Sequence, residues 1–305
     1  VWINESLDYN VVADAMLEDY YGLDKWFKPE VNLKLNIKPI PGLNYQQVVG
    51  YENRQWELHQ YWPSTHRSEI DNSRKGHAHL AFSKTENLTS EGYFSYVKDF
   101  KGGHNLNATA GYSYFEVNGE NFGMDNYNFS VDGIKYWDIG QGSYLTDGKA
   151  GMSSGKSVTE RLFSFFARAN YSYQDKYMLS ASIRHEGSSK FAADNRWANF
   201  WSATAGWRIS NEEFMKDFDW LDDLKIRFGY GVTGNNDFSA TYMANMLGSD
   251  TNWMMPNGTW AYSYGKSQNV NPNLGWEEKK EWNLGVDYSF FEGRLYGKFD
   301  YYRRE

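Results

Sequence analysis

Few of the residue types that usually carry chemistry occur at a spacing that would let them act together. The run Gly187-Ser188-Ser189 follows His185, but no Gly-x-Ser-x-Gly turn surrounds the serines and the histidine is not placed as a base. We interpret this run as the start of a hairpin loop. His77 and His79 would point the same way on an extended segment, yet the six histidines lack the spacing and the carboxylates of a metal site. The sequence therefore predicts no catalytic residue and no metal.

Cofactor chemistry is equally poorly represented. Gly229, Gly231 and Gly234 alternate within a predicted strand, whereas a phosphate-binding loop needs a turn from a strand into a helix. The acidic pairs Asp222-Asp223 and Glu277-Glu278 fall at predicted strand ends, where a solvated rim is the simpler interpretation than acid–base catalysis. The chain has no cysteine, which excludes disulfides and thiolate chemistry. We expect no cofactor and no enzymatic activity.

Aromatic residues in two long polar segments are the best candidates for ligand contact. Segment 250–264 contains Trp253, Trp260 and Tyr262, and segment 132–147 contains Trp137 and Tyr144. Rings that are flanked by Asn, Asp and Gln can stack on sugar faces and bond hydroxyl groups, so these residues suit glycans or peptides. The alternative is that the rings pack the loops against each other or belong to an aromatic girdle.

The elements that must position these loops are strands. Aromatic residues make up 18% of the chain although its mean hydropathy is −0.74, as expected when one face of each strand is apolar and the other is wet. Apolar residues alternate with polar ones in about ten rows, many of them near the length that crosses a bilayer at a tilt. The rows cover 31–37, 43–51, 88–96, 106–114, 161–173, 177–184, 201–209, 224–232, 282–290 and 295–301.

The connections between these rows alternate in length. Short turns are predicted near 41–42, 101–104, 174–176 and 292–293, and a somewhat longer link over 211–219. Long polar segments separate them at about 57–84, 118–158, 187–196 and 234–276. Outer-membrane barrels have short periplasmic turns and long extracellular loops, so this order favours a membrane barrel over a soluble sandwich. We predict a loop over residues 1–30 that enters the first strand.

The predicted fold class is therefore all-β, an antiparallel meander of about ten long strands that forms part of a transmembrane barrel. No stretch approaches the roughly 20 apolar residues of a membrane helix. The net charge of −8, the pI of 5.4 and the lack of a basic run argue against nucleic-acid binding.

Four runs in the same order resemble the SusC/RagA family of TonB-dependent outer-membrane transporters. The similarity is firmest over 159–305. The runs begin with Arg184-His185-Glu186-Gly187-Ser188-Ser189-Lys190-Phe191 and continue with Trp207-Arg208-Ile209-Ser210, Tyr230-Gly231-Val232-Thr233-Gly234-Asn235 and Asn271-Pro272-Asn273-Leu274-Gly275-Trp276-Glu277. Glu186 stands where the family usually has Asp, and Trp201 where Pro is common.

The resemblance implies a 22-stranded barrel in the bacterial outer membrane, of which residues 1–305 are an internal fragment. It also implies a plug domain and a TonB-binding segment that precede this fragment, a SusD-like surface lipoprotein as the lid, and an oligosaccharide or peptide as the cargo. Under this interpretation the fragment contributes barrel wall in contact with outer-membrane lipid, together with extracellular loops. With unpaired edges, it should form an open antiparallel sheet.

Two other functions remain open on the sequence. A passive porin or surface adhesin barrel would share the strand pattern but would lack a plug and a TonB-binding segment. A soluble all-β protein that binds or acts on glycans would share the aromatic loops but would need no detergent.

Overall fold

The computed structural model describes residues 11–239, 247–266, 269 and 271–305. The chain divides into two compact units. The first contains 11–29, 51–87 and 117–158 among its described residues, and the second contains 30–50, 88–116 and the described part of 159–305. Strands dominate both units.

Fourteen strands are found within the described residues. They are β1 (Asp19–Phe27), β2 (Glu30–Asn36), β3 (Leu43–Trp62), β4 (His77–Phe100), β5 (His104–Tyr127), β6 (Gly151–Lys156), β7 (Glu160–Tyr173), β8 (Tyr177–Ser188), β9 (Trp197–Arg208), β10 (Leu221–Asn235), β11 (Leu247–Met254), β12 (Trp260–Lys266), β13 (Glu277–Phe290) and β14 (Leu295–Arg304). Two short helices, α1 (Val11–Leu17) and α2 (Arg67–Asp71), accompany them. Neither described helix has the length and apolar character to span a membrane.

One sheet connects all strands except the β11–β12 hairpin. Its main path runs β1-β3-β4-β5-β7-β8-β9-β10-β13-β14, with β2 also paired to β3 and β6 to β5. Phe27 faces Asn53 and Glu30 faces Gly50, so β1 and β2 pair with β3 in one register and are two parts of one strand. Pro29, which has no N–H to donate, marks the break between them. The predicted ten-stranded antiparallel meander is confirmed.

The sheet is open, as expected for a fragment. Within the part of the chain that the structure describes, β1 and β14 lie at opposite ends of the strand order and do not pair with each other.

Residues 1–10 of the predicted loop 1–30 lie outside the described residues, and the structure corrects the prediction for the part that follows. Residues 11–17 are helical and 19–27 form β1, where Lys25 pairs with Glu57 at 2.7 Å and Asp24 with Arg54 at 2.6 Å. The sequence conceals this strand because rings stand next to each other at Tyr20-Tyr21 and Trp26-Phe27, which breaks the alternation of apolar and polar residues.

Strands β3, β4 and β5 also extend further than the predicted long segments 57–84 and 118–158 allow. They contain 20, 24 and 24 residues, about twice the 9–11 needed to cross a bilayer. Their distal parts mix polar and apolar residues, and side-chain hydrogen bonds connect them, such as that from the Tyr51 hydroxyl to Glu86 at 2.6 Å. Only 63–76 and 128–150 remain outside strands at this end of β3–β5.

The two faces of the sheet in the second unit differ in chemistry. One row of alternating residues is apolar but exposed: Ile183 and Phe228 are each 51% exposed and Phe299 is 66% exposed. We call this the apolar face. The other row, the polar face, carries hydrogen-bonded polar groups, such as Arg227, which binds Asp287 at 2.9 Å and Asp300 at 3.1 Å. A chain folded in water would bury the first row, so the apolar face requires an apolar surrounding.

Candidate functional site

A stack of aromatic rings lies at the ends of β3 and β5 and the start of β4 in the first unit. His77 at the start of β4 lies between Trp62 at the end of β3 and Tyr127 at the end of β5. The ring centroids are 4.5 Å apart for Trp62 and 4.2 Å for Tyr127, with interplanar angles of 20° and 24°. Antiparallel pairing brings these three strand ends together, so residues far apart in sequence form one stack.

A carboxylate orients two histidines beside this stack. Asp125 Oδ1 lies 2.8 Å from His77 Nε2 and 2.8 Å from His79 Nδ1. Because an ionised carboxylate only accepts hydrogen bonds, each of these ring nitrogens carries a proton and donates it. Burial lowers the pKa of His77, and the hydrogen bond that His77 donates to Asp125 opposes that effect. We call Trp62, His77, His79, Asp125 and Tyr127 the histidine cluster.

A buried ion pair fixes the loop that leads into β4. Glu69 on α2 is fully buried, and the guanidinium of Arg74 binds it through two hydrogen bonds of 2.8 and 2.9 Å. The same guanidinium lies 4.4 Å from the ring centre of Tyr127. The guanidinium of Arg74 thus connects the loop 63–76 to the histidine cluster.

The cluster offers ring faces and polar groups but no metal-binding set. Among the described residues, no group of three or more His, Asp or Glu side chains is arranged to hold a metal ion. The available chemistry is stacking against Trp62 and hydrogen bonding to the imidazoles and Asp125, because His77 and Arg74 cover the ring of Tyr127.

Two of the predicted contact residues lie on loop 128–150. Tyr136 anchors this loop in a small core with Tyr61, Ala78 and Phe129. The neighbouring Trp137 is 76% exposed. Tyr144 is half-buried, and its ring centroid lies 5.2 Å from that of Tyr127, so it adjoins the histidine cluster.

The other predicted contact residues belong to the β11–β12 hairpin. Trp253 and Trp260 are each 66% exposed. Trp253 pairs with Ala261 and Trp260 with Met254, so the two indoles project from opposite faces of the hairpin. Tyr262 pairs with Asn252 in β12, and its side chain lies outside the described residues. The hairpin therefore presents its two rings separately and not as one platform.

Sequence reasoning missed Trp62, Asp125 and Tyr127. The spacing of His77 and His79 was the one available signal, because alternate residues on a strand share a face. The partners come from strands whose register the sequence does not reveal.

Three of the four family-like runs meet in the second unit. Phe191 is almost fully buried, and its ring lies 4.9 Å from that of Trp276, which in turn lies 5.0 Å from Phe200. The Trp276 indole donates to the carbonyl oxygen of Arg196 at 2.8 Å. A Cβ atom on Gly234 would lie 2.1 Å from the Phe200 ring. These runs tie loop 189–196 to the segment 271–276.

Comparison with known proteins identifies this architecture. The family model described as TonB dependent receptor-like, beta-barrel, matches residues 8–305. The chain belongs to this family. It is 31% identical over 280 residues to TonB-dependent receptor P39 of Formosa agariphila, and the match covers 88% of this chain and 25% of that protein. It is 37% identical over 163 residues to the TonB-dependent receptor SusC of Bacteroides thetaiotaomicron, covering 52% of this chain and 16% of SusC.

Solved structures agree on the fold of this receptor segment. A chain of the RagAB peptide transporter superposes with a TM-score of 0.80 at 23% identity, covering 95% of this chain and 31% of that chain. The segment thus spans about a quarter of the length of the curated relatives it matches over most of its own length. The SusC/RagA resemblance is confirmed, and it places the chain in the bacterial outer membrane, in a family of transporters that are not enzymes.

Proposed function

We propose that this segment forms barrel wall and extracellular loops of a TonB-dependent importer of oligosaccharides or peptides. The observation that carries the proposal is the division of one sheet into an exposed apolar face and a charged, hydrogen-bonded face. Arg227 bound to Asp287 and Asp300 suits the wall of a water-filled passage, whereas exposed Ile183 and Phe228 suit contact with outer-membrane lipid.

The cargo contacts that we propose are in the loops. Trp137, Trp253 and Trp260 expose large ring faces, Tyr144 adjoins the histidine cluster, and we retain Tyr262 from the sequence prediction. The segments 57–84, 118–158, 187–196 and 234–276 would then contribute the extracellular surface. The RagAB neighbours are described as a peptide transporter and importer, which supports peptides beside glycans as a cargo class.

The proposed partners follow from the same family. A SusD-like lipoprotein would cover the extracellular opening, and the TonB complex would act on a plug in the remainder of the protein. Energy would then come from the inner membrane through TonB acting on that plug.

Uptake by cells that make the full-length protein tests the proposal. We expect import of a labelled oligosaccharide or peptide to require an intact TonB system, and the double variant Trp253→Ala/Trp260→Ala to reduce it. Phe214→Ala, which removes an exposed ring from the turn between β9 and β10, is the matched control. Import that continues without TonB would indicate a passive porin, and a protein that is monodisperse without detergent would indicate a soluble glycan-binding protein.

A further inference from the structure

One oxygen of the Asp125 carboxylate accepts no hydrogen bond from the described residues. The imidazoles of His77 and His79 both donate to Oδ1, at 2.8 Å each, and no described donor reaches Oδ2. The side chain of Asp125 is 30% exposed. Because an ionised carboxylate accepts hydrogen bonds through both oxygens, Oδ2 is left to accept one from a ligand.

The register of β5 and β6 leaves room beside this oxygen. Asp125 on β5 is paired with Gly151 on β6. Residues that are paired across a ladder carry neighbouring side chains on one face, so a larger residue at 151 would lie against the carboxylate. A Cβ atom on Gly151 would be only 3.4 Å from Asp125 Oδ2. The glycine therefore keeps the free oxygen accessible.

Two further polar groups meet beside Asp125 on the same face. Both lie over Gly123, which pairs with Ser153: a Cβ atom on Gly123 would be 3.2 Å from Ser153 Oγ and 3.9 Å from His79 Cε1. Since His79 donates through Nδ1, Nε2 of the neutral ring is an acceptor, and the Ser153 hydroxyl can donate as well as accept. We call Asp125, His79 and Ser153, with the two glycines, the polar subsite.

The charges around the polar subsite balance each other. Glu69 is paired with Arg74 at 2.8 Å. Lys149 precedes Gly151 by two residues, and its cation offsets the charge of Asp125. A strongly anionic or cationic ligand is therefore not favoured. Neighbouring hydroxyls on a sugar ring offer two donors and an acceptor close together, whereas successive N–H groups of an extended peptide point to opposite sides.

We infer that the polar subsite binds the hydroxyl groups of an uncharged oligosaccharide. One hydroxyl donates to Asp125 Oδ2, and its neighbour donates to His79 Nε2 and accepts from Ser153 Oγ. The two imidazoles on Oδ1 hold the carboxylate in place before the ligand arrives, which lowers the cost of binding. The inference rests on the proposed import function, and it names a cargo class and contacts on the strands.

The test mixes full-length protein in mild detergent with uncharged oligosaccharides from partly hydrolysed polysaccharides, and native mass spectrometry counts the sugars retained. Asp125→Asn keeps an oxygen for both imidazoles and replaces Oδ2 with an amide nitrogen, so we expect about tenfold less retention from the loss of one bond to a charged group. Gly151→Ala covers Oδ2 without altering its charge and should also lower retention. The control Asp71→Asn removes an exposed carboxylate from α2 and should retain wild-type amounts.

Equal retention by Asp125→Asn, or none by wild type, overturns the inference. Hydrogen exchange in loop 63–76 should be the same in Asp125→Asn and wild type, and faster exchange in the variant would assign Asp125 a structural role instead. Retention of peptides from a casein digest in place of sugars would overturn the cargo class. Retention needs no TonB, so import that continues without TonB contradicts the proposed function alone, and TonB-dependent import with equal retention by Asp125→Asn contradicts this inference alone.

Discussion

The imidazole of His77 is stacked on the phenol ring of Tyr127, with centroids 4.2 Å apart, although 50 residues separate them in the chain. Trp62 covers the other face of the same imidazole. This stack joins the ends of β3, β4 and β5. Its removal should therefore destabilise the loops 63–76 and 128–150 that follow these ends.

His77→Ala should loosen loop 63–76. Two ring contacts are lost, each worth about 0.5–1.5 kcal/mol beyond buried area, so we expect local stability to fall by about 1–3 kcal/mol. Hydrogen exchange of the amides in 63–76 measures this. His104→Ala removes a histidine whose ring contacts that of Tyr173 beside the short turn after β4, and it should leave that exchange unchanged. Equal effects of the two variants would contradict a local role for the stack.

The same loop should lose protection as the pH falls. Burial lowers the pKa of His77 from its ordinary value of 6.5, so the unfolded segment binds the proton more readily than the folded one. The stabilising contribution is complete above 6.5 and is lost as the pH falls from there through the lower pKa of the folded state. His77→Phe keeps a stacked ring without a titrating group and should show a weaker pH dependence. An unchanged pH dependence in this variant would show that groups other than His77 cause it.

The buried pair Glu69 and Arg74 should respond asymmetrically to substitution. Arg74→Met leaves a fully buried carboxylate without its cation, which typically costs about 3–5 kcal/mol. The double variant Glu69→Gln/Arg74→Met removes both charges and should recover part of that loss. Trypsin cleavage within 63–76 reports the opening of the loop. A double variant less stable than Arg74→Met would exclude a penalty from the unpaired charge.

Gly234→Ala should weaken the clamp between loop 189–196 and segment 271–276. Its Cβ would lie 2.1 Å from the ring of Phe200, and this buried ring is packed against Trp276 and has little room to move. Overpacking of this kind costs about 1–3 kcal/mol. Gly206→Ala, whose Cβ would meet nothing closer than 3.4 Å, is the control in thermal unfolding. Phe200→Leu should partly rescue Gly234→Ala, and absence of rescue would indicate a backbone cause.

Neighbouring positions on β8 should separate a lipid-facing row from a water-facing one. Ile183→Lys places a charge on the apolar face and should cost about 2–4 kcal/mol if that position is near the middle of the bilayer. Ser182→Lys changes the polar face, where Ser182 bonds Ser202 at 2.7 Å, and should be tolerated better. Unfolding of the full-length protein in lipid vesicles measures both. The reverse order would contradict the assignment of the two faces.

The sequence predicted the strands wherever polar and apolar residues alternate, as from 177 to 184 on β8. It failed at β1, where Tyr20-Tyr21 and Trp26-Phe27 place rings on both faces, and at the distal parts of β3–β5, where polar residues occur on both faces among the apolar ones. The site was reached only in part, because Trp62 and Tyr127 join His77 through strand register, and register depends on pairing partners that a single sequence does not specify.

The contact between Phe191 and Trp276 has a consequence for how relatives are classified. Sequence runs that anchor a loop are needed for folding, whichever nutrient the protein carries. Two family members that share these runs can therefore carry different nutrients. A survey that sorts such proteins by nutrient should compare segment 128–150 and the β11–β12 hairpin, and use the anchoring runs only to align them.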